Sequence, residues 1–418
     1  MKLSTMASNL IGSEIIKIAG EVNEMIKKGE KICNLTIGDF DPSYFPIPKE
    51  LESEIIAAYG EKLTNYPPAN GVAELRESVA HFIKSRLGLS YSPNDVLIAG
   101  GSRPLIYVAY LAILDQFDTV VFPVPSWNNN HYCHLSGATP IMIETSAETN
   151  FLPTAAQLAP HLKDATLLAL NSPLNPTGTA FSKSNLEEIC DLVLQENLGR
   201  ISGEKPLYLL FDQMYWMLTF GDVEHFDPVS LRPELKDYVI YIDGISKTFA
   251  ATGVRVGWAF GPETVINKMK SILGHVGAWS PKPEQMATAR FLMNNKAVDG
   301  FLHSFKLKMQ KSLNALYDGF IELKNEGFDV DAIAPMGAIY LTASIDIAGK
   351  KTPEGKILIN SKDVTSYILT EAKVAVVPFT AFGASDSSSW FRLSAGGCHY
   401  EDILAAIPRL RTALSKLS

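Results

Sequence analysis

Short, largely apolar runs alternate with stretches of helical character through the first 300 residues, and this alternation constrains the fold more than any other feature. The runs are VLIA at 96–99, TVVF at 119–122, LLAL at 167–170, LYLLF at 207–211 and YVIYI at 238–242. Each is too short for a buried helix and apolar on both faces, as strands are in a sheet covered from both sides. The intervals leave room for crossover helices, so the pattern predicts an α/β fold around a mostly parallel sheet. One such helix is marked by Ser184 and, three residues on, Glu187, a capping-box pair ahead of Ile189, Leu192 and Val193. Ligands of sheets of this type gather at the carboxyl ends of the strands, which makes the residues just after each run the candidates for chemistry.

At 418 residues the chain exceeds the size at which one core keeps growing. From about residue 300 the pattern changes to an amphipathic stretch at 301–324, shorter strands at 339–345 and 374–377, and a carboxyl-terminal helix at 400–417. We expect a large domain over 46–300 and a smaller α+β domain built from 1–45 and 301–418.

With 37 Lys and Arg against 45 Asp and Glu, the net charge is −8. Such a surface attracts neither nucleic acid nor an anionic membrane, and small-molecule chemistry is favoured. Ser13, Glu14 and Lys17 interrupt the amino-terminal apolar stretch, and no run approaches the ~20 apolar residues of a membrane span. Cys33, Cys133, Cys190 and Cys398 are scattered, with no CxxC pair, which fits a reducing cytoplasm.

Lys247 opens the string SKTFAATGVRVGW after the run at 238–242, with Arg255 eight residues further on. A lysine among small and apolar residues loses its proton more readily than one in water, and the neutral amine attacks aldehydes. Gly253 and Gly257 bracket Arg255, allowing a tight turn that aims its guanidinium at an anion. An imine-forming amine beside a phosphate clamp points to pyridoxal 5'-phosphate. The chain here resembles the class I/II aminotransferases, a fold-type I family of pyridoxal phosphate enzymes.

The resemblance extends from about residue 32 to 397 and implies roles for the residues after each run. Gly101 and Ser102, which follow Ala99 and precede a helix from about Pro104, correspond to a phosphate-binding turn. Trp127 in PVPSWNNNH corresponds to an aromatic that stacks on the cofactor ring. Asn175 in NSPLNPTG corresponds to the asparagine on the cofactor's phenolic oxygen, in a turn made by Pro176 and Gly178. Asp212 in FDQMYW, a carboxylate at the end of an apolar strand and costly there without a partner, corresponds to the residue that pairs with the pyridinium nitrogen. Tyr215, three residues on, corresponds to a second contact with the phenolic oxygen. Arg392 in WFRLSAGG corresponds to the arginine that grips the substrate's α-carboxylate. Gly38 in NLTIGDFDP matches a glycine lining the substrate pocket, and Tyr66 in TNYPPANGVAELR one that reaches the phosphate of a neighbouring subunit, which implies a homodimer. Each residue alone has a bland alternative as core, cap or surface group; their order along one chain is the specific signal. His131, Cys133 and His134 cluster after Trp127 but have no fourth ligand at metal-site spacing, and no metal is expected.

Some positions depart from the family. GHVGAWSPKP offers His275 and Trp279 where the aspartate-specific branch has an arginine, so strict dicarboxylate specificity is not expected. Phe379 stands where many relatives have glycine and is expected to narrow the pocket, and Gly244 lacks a hydroxyl that Ser246 would replace on the phosphate. Phe40, Tyr44, Trp279, Tyr340 and Phe379 point to apolar or aromatic substrates. The reading is an aminotransferase that passes nitrogen from an L-amino acid to a 2-oxo acid, with Lys247 as catalytic base. A pyridoxal phosphate C–S lyase on the same scaffold remains the alternative, and a cofactor-binding sensor domain a more distant one.

Overall fold

The computed structural model describes residues 2–10, 12 and 14–418. Ser13, one of the residues expected to break the amino-terminal apolar stretch, lies outside them. The apolar runs assemble into a seven-stranded sheet whose order across the sheet is Val96–Ala99, Gly257–Phe260, Val239–Gly244, Tyr208–Asp212, Ala165–Asn171, Thr119–Val124 and Thr139–Glu144. Gly257–Phe260 runs antiparallel to both of its neighbours, and the remaining pairings are parallel.

Both faces are covered, as the unbroken apolar runs require. Leu209, Phe211, Val239 and Tyr241 pack with the helices Ala73–Leu87, Lys183–Gly199 and Lys282–Leu292 on one side. Leu210, Ile240 and Ile242 pack with Ser102–Ile113 and Glu263–Val276 on the other. The helix Lys183–Gly199 is capped by Ser182, whose side chain accepts from the amide of Asn185. The cap therefore lies two residues before the expected Ser184; Ser182 already satisfies the end amides, and Ser184 falls inside the first turn. The helix Ser102–Ile113 likewise begins two residues before Pro104.

A four-stranded antiparallel sheet, Val377–Pro378, Trp390–Ser394, Tyr340–Ile345 and Val330–Ala332 in spatial order, follows in the second half of the chain. The helix Asn295–Asn325 buries Leu302, Phe305, Met309, Leu313, Leu316 and Phe320, a stripe at three- and four-residue spacing, against this part of the core. Asn294 caps that helix by accepting from Ala297 N, an interaction whose loss costs about 1 kcal/mol. Cys33–Asn34 pairs in parallel with Val374–Ala375, which ties the amino-terminal segment to the late part of the chain and carries residues 36–41 to the ends of the large-sheet strands.

Candidate active site

At the carboxyl ends of the parallel strands lies a cleft of about 730 Å³. Gly38, Ser102, Trp127, Asn175, Asp212 and Tyr215 line it, together with Ser246, Lys247, Arg255 and Arg392. These residues are far apart in sequence and meet because each follows a strand or borders one.

Lys247 sits in the single helical turn Ile245–Thr248, directly after the strand Val239–Gly244. Its Nζ donates to the carbonyl oxygen of Gly38. Burial pulls the amine down to about 8, with Arg392, Arg103 and Arg255 pushing the same way and Asp39 opposing them. A substantial fraction of the amine is therefore neutral near neutral pH, as nucleophilic or general-base chemistry demands.

On the next strand, Asp212 ends Tyr208–Asp212 with its carboxyl buried, and this burial raises it to about 7. The amide of Met214 donates to Oδ1 at 3.1 Å. The neighbouring strand ends at Asn171, in register with Asp212. Asn171 Nδ2 donates to the Asp212 carbonyl at 2.6 Å and its Oδ1 accepts from Asn175 N at 2.7 Å. Thus Asn171 joins two strand ends to the turn that presents Asn175. That turn closes with Gly178 at φ +72°, where an added Cβ would lie 2.3 Å from the Tyr340 carbonyl oxygen.

Arg392, on Trp390–Ser394, is 1% exposed. Nη1 donates to Asn175 Oδ1 at 3.1 Å, Nη2 donates to the Thr36 carbonyl, and the guanidinium stacks 4.8 Å from the Tyr340 ring. Its Nε is buried with no hydrogen-bond partner among the described residues. Tyr340 and Tyr215 share a hydrogen bond of 2.7 Å between their hydroxyls.

Arg255 is held by two carbonyls: Nη1 donates to Thr252 O and Nη2 to Gly100 O, each at 2.7 Å. The bracketing glycines act differently from the expectation. Arg255 itself takes the left-handed conformation, φ +62°, while Gly257 is needed for close approach, because a Cβ there would lie 2.6 Å from Gly101 C. Gly101 has φ +96°, and a Cβ on it would meet Arg255 Nη2 at 2.1 Å. It therefore lies behind the guanidinium rather than on the cleft wall, and the free amides that begin the helix Ser102–Ile113 face the same corner.

Trp127 is half-buried in the cleft wall, with the Arg103 guanidinium 5.1 Å from its ring centre. Tyr66 is not among the residues lining this cleft: it is 83% exposed and its ring meets Trp279 edge-on, 5.8 Å between ring centres. Phe379 does not narrow the pocket, because it is fully buried in a separate cluster with Phe151 and Phe382. Tyr44 stacks on His399 at 4.5 Å, and Phe40 lies under the Lys247 amine, 5.8 Å from ring centre to Nζ; among the expected aromatics Tyr340 is a cleft-lining residue. His134 donates to the Met6 carbonyl at 2.7 Å.

Several lining residues escaped the sequence reading. Asn171 carried a usable signal as the polar residue ending the run at 167–170. Arg103 and Asp39 carried none, since each adjoins a residue already singled out and only the fold brings them to the cleft. Behind the site Asp243 is 1% exposed, accepts from Trp216 Nε1 at 2.9 Å and from Gly244 N at 2.7 Å, and is raised by burial to about 8.

The family model for class I and II aminotransferases matches residues 30–410. The aspartate aminotransferase of Bacillus sp. strain YM-2 is 29% identical over 384 residues, 91% of this chain and 92% of that protein. A probable aspartate/prephenate aminotransferase of Rhizobium leguminosarum bv. phaseoli is 29% identical over 395 residues, 94% of each. The crystal structure of the aspartate aminotransferase from Rhizobium meliloti superposes over 100% of both chains with a TM-score of 0.89 at 27% identity.

Proposed function

The chain belongs to the class I and II aminotransferases and folds as a fold-type I enzyme of that family, and from that premise we propose that it works with pyridoxal 5'-phosphate held by Lys247. The observation that carries this reading is the pairing of a buried amine with a lowered pKa, Lys247, with a buried carboxyl, Asp212, in one cleft. The donor set fits the cofactor. Among the described residues no cation acts on the Asp212 carboxyl, which would accept a hydrogen bond from the protonated ring nitrogen. Asn175, its Oδ1 already taken by Arg392, offers its amide hydrogens to the phenolic oxygen beside Tyr215. Trp127 would cover a ring face, and Ser102, Ser246 and Arg255 would surround the phosphate, with Gly101 backing the Arg255 guanidinium.

Pyridoxal phosphate, when bound, supplies an aldehyde for amines and a ring that accepts an electron pair from the substrate's Cα. The protein's residues do the rest. Arg392 binds the α-carboxylate of the amino acid, with Gly38 lining the same cleft. Fixing that carboxylate leaves the Cα–H bond facing the Lys247 amine, which takes the proton. Asp212, ionised once a ring cation lies beside it, keeps that ring protonated.

Substrates are small amino acids and 2-oxo acids. The aromatic wall of Tyr340 and Trp127 supports apolar or aromatic side chains. A second reading, favoured by Arg103, admits acidic ones: this guanidinium lines the cleft and adds a cation besides Arg392 and Arg255. The names of the relatives agree with that reading. Rates with phenylalanine and aspartate as alternative donors separate the two.

The domain division at 46–300 against 1–45 with 301–418 draws support from the separate seven- and four-stranded sheets. Exposed Tyr66 supports a homodimer in which it reaches the partner's phosphate, and four free buried cysteines support a cytoplasmic site of action. Lys247→Ala tests the central assignment: loss of both turnover and the visible absorbance of lysine-bound cofactor is expected, and unaltered turnover would sink it.

A further inference from the structure

The strap 36–41 bonds directly to two of the cations proposed above to hold cofactor and substrate, Arg392 and Lys247, and reaches the third, Arg255, through Thr252. Thr36 O accepts from Arg392 and Gly38 O accepts from the Lys247 amine. One residue on, Asp39 Oδ1 accepts from the Thr252 hydroxyl and from Phe40 N, the latter at 2.8 Å. Thr252 in turn gives its carbonyl to Arg255 Nη1 at 2.7 Å. The far side of the strap is wedged as well: Asp41 N donates to Gly396 O at 3.0 Å, and a Cβ on Gly396 would lie 2.3 Å from Asp39 O.

We propose that Asp39 is a positioning residue that latches the strap to the 252–255 loop and thereby holds the Gly38 carbonyl, and its own charge, against the Lys247 amine. The inference rests on the proposed role of Lys247 and adds to it a device that sets where the amine is and how readily it gives up its proton. The charged groups acting on that amine are the guanidiniums of Arg392, Arg103 and Arg255, which favour the neutral form, and Asp39, which opposes them. Asp212 is the other carboxylate lining the cleft, and it is buried at the end of a neighbouring strand. Asp39 is exposed at the rim, so its charge is partly screened, whereas the latch through Thr252 is a short-range contact that screening leaves intact.

Two variants separate charge from latch. Asp39→Asn keeps an oxygen for Thr252 and removes the charge; Thr252→Val keeps the charge and removes the hydroxyl. In the full-length chain without cofactor, the pH dependence of Lys247 acetylation by acetic anhydride, read by peptide mass spectrometry against an exposed lysine, reports the amine directly. Asp39→Asn is expected to move the Lys247 midpoint down by about half a pH unit. Thr252→Val, which frees the strap, is expected to speed amide hydrogen exchange across 36–41 several-fold and to lower the midpoint by a smaller amount. An unmoved midpoint in the first variant, or unchanged exchange in the second, overturns the proposal. Because no cofactor is present, the labelling result stands whether or not Lys247 binds pyridoxal phosphate, so failure of one reading does not disguise failure of the other.

Discussion

Arg392 donates Nη1 to Asn175 Oδ1 at 3.1 Å, joining a residue from the end of a large-sheet strand to one on the four-stranded sheet. The bond fixes two things at once. It orients the Asn175 amide so that its hydrogens face the cleft, and it holds the guanidinium in the plane in which a carboxylate would be gripped. Asn175→Ala removes both effects. A hydrogen bond to a charged group contributes roughly 1.5–3 kcal/mol, so the KM for the amino donor is expected to rise at least about tenfold in steady-state assays.

Arg392→Lys tests the fork itself. An ammonium cannot make the planar two-point contact, and it would leave Asn175 or the Thr36 carbonyl without a donor in a fully buried place. We expect kcat/KM for amino acids to fall about 100-fold or more, roughly 2.7 kcal/mol. Cofactor affinity, measured by equilibrium titration, is expected to change little because Arg392 does not face the phosphate corner.

At Gly101 the prediction is steric. A Cβ there lies 2.1 Å from Arg255 Nη2, on a backbone with φ +96°, so Gly101→Ala must displace the guanidinium that awaits the phosphate. Pyridoxal phosphate should bind about tenfold more weakly, the equivalent of roughly 1.4 kcal/mol, and inorganic phosphate should compete less well in the same titration.

Asp243 makes a prediction about pH and stability. Burial lifts it from 3.8 to about 8, so between those values the folded chain keeps a proton that the unfolded chain has lost. Its contribution is complete below the unfolded value and is lost as pH rises through about 8, at roughly 1.4 kcal/mol per pH unit. Asp212, lifted to about 7, acts in the same direction. In the cofactor-free protein the thermal midpoint should fall as pH is raised from about 5 to about 8. Asp243→Asn, which cannot ionise, should flatten that slope, and an unchanged slope would remove Asp243 from the account.

What was legible in the sequence follows from where chemistry and pattern coincide. Lys247, Asp212 and Asn175 stand just after apolar runs, so strand prediction and site prediction were the same act. The strand Gly257–Phe260 was not legible, because four residues after a loop show no periodicity and its antiparallel direction depends on Gly257 lying against Gly101. Phe379 was misread because an aromatic in a motif says nothing about which way it points; packing with Phe151 and Phe382 decides that. Arg103 and Asp39 are charged residues on a loop or helix start, and only the three-dimensional convergence of the 36–41 strap with the strand ends makes them part of the site. The cap at Ser182 rather than Ser184 reflects two hydroxyls within reach of one helix end, which sequence spacing alone does not rank.

The most direct test of the whole account is a single half-reaction. Purified protein loaded with pyridoxal phosphate is mixed with one amino acid at a time, without any oxo acid, and both products are quantified. The account predicts stoichiometric release of the matching 2-oxo acid with conversion of the cofactor to pyridoxamine phosphate, and no such conversion in Lys247→Ala. Release of ammonia and pyruvate from cysteine-like substrates, with the cofactor left in its aldehyde form and no pyridoxamine phosphate from any amino acid, would contradict it.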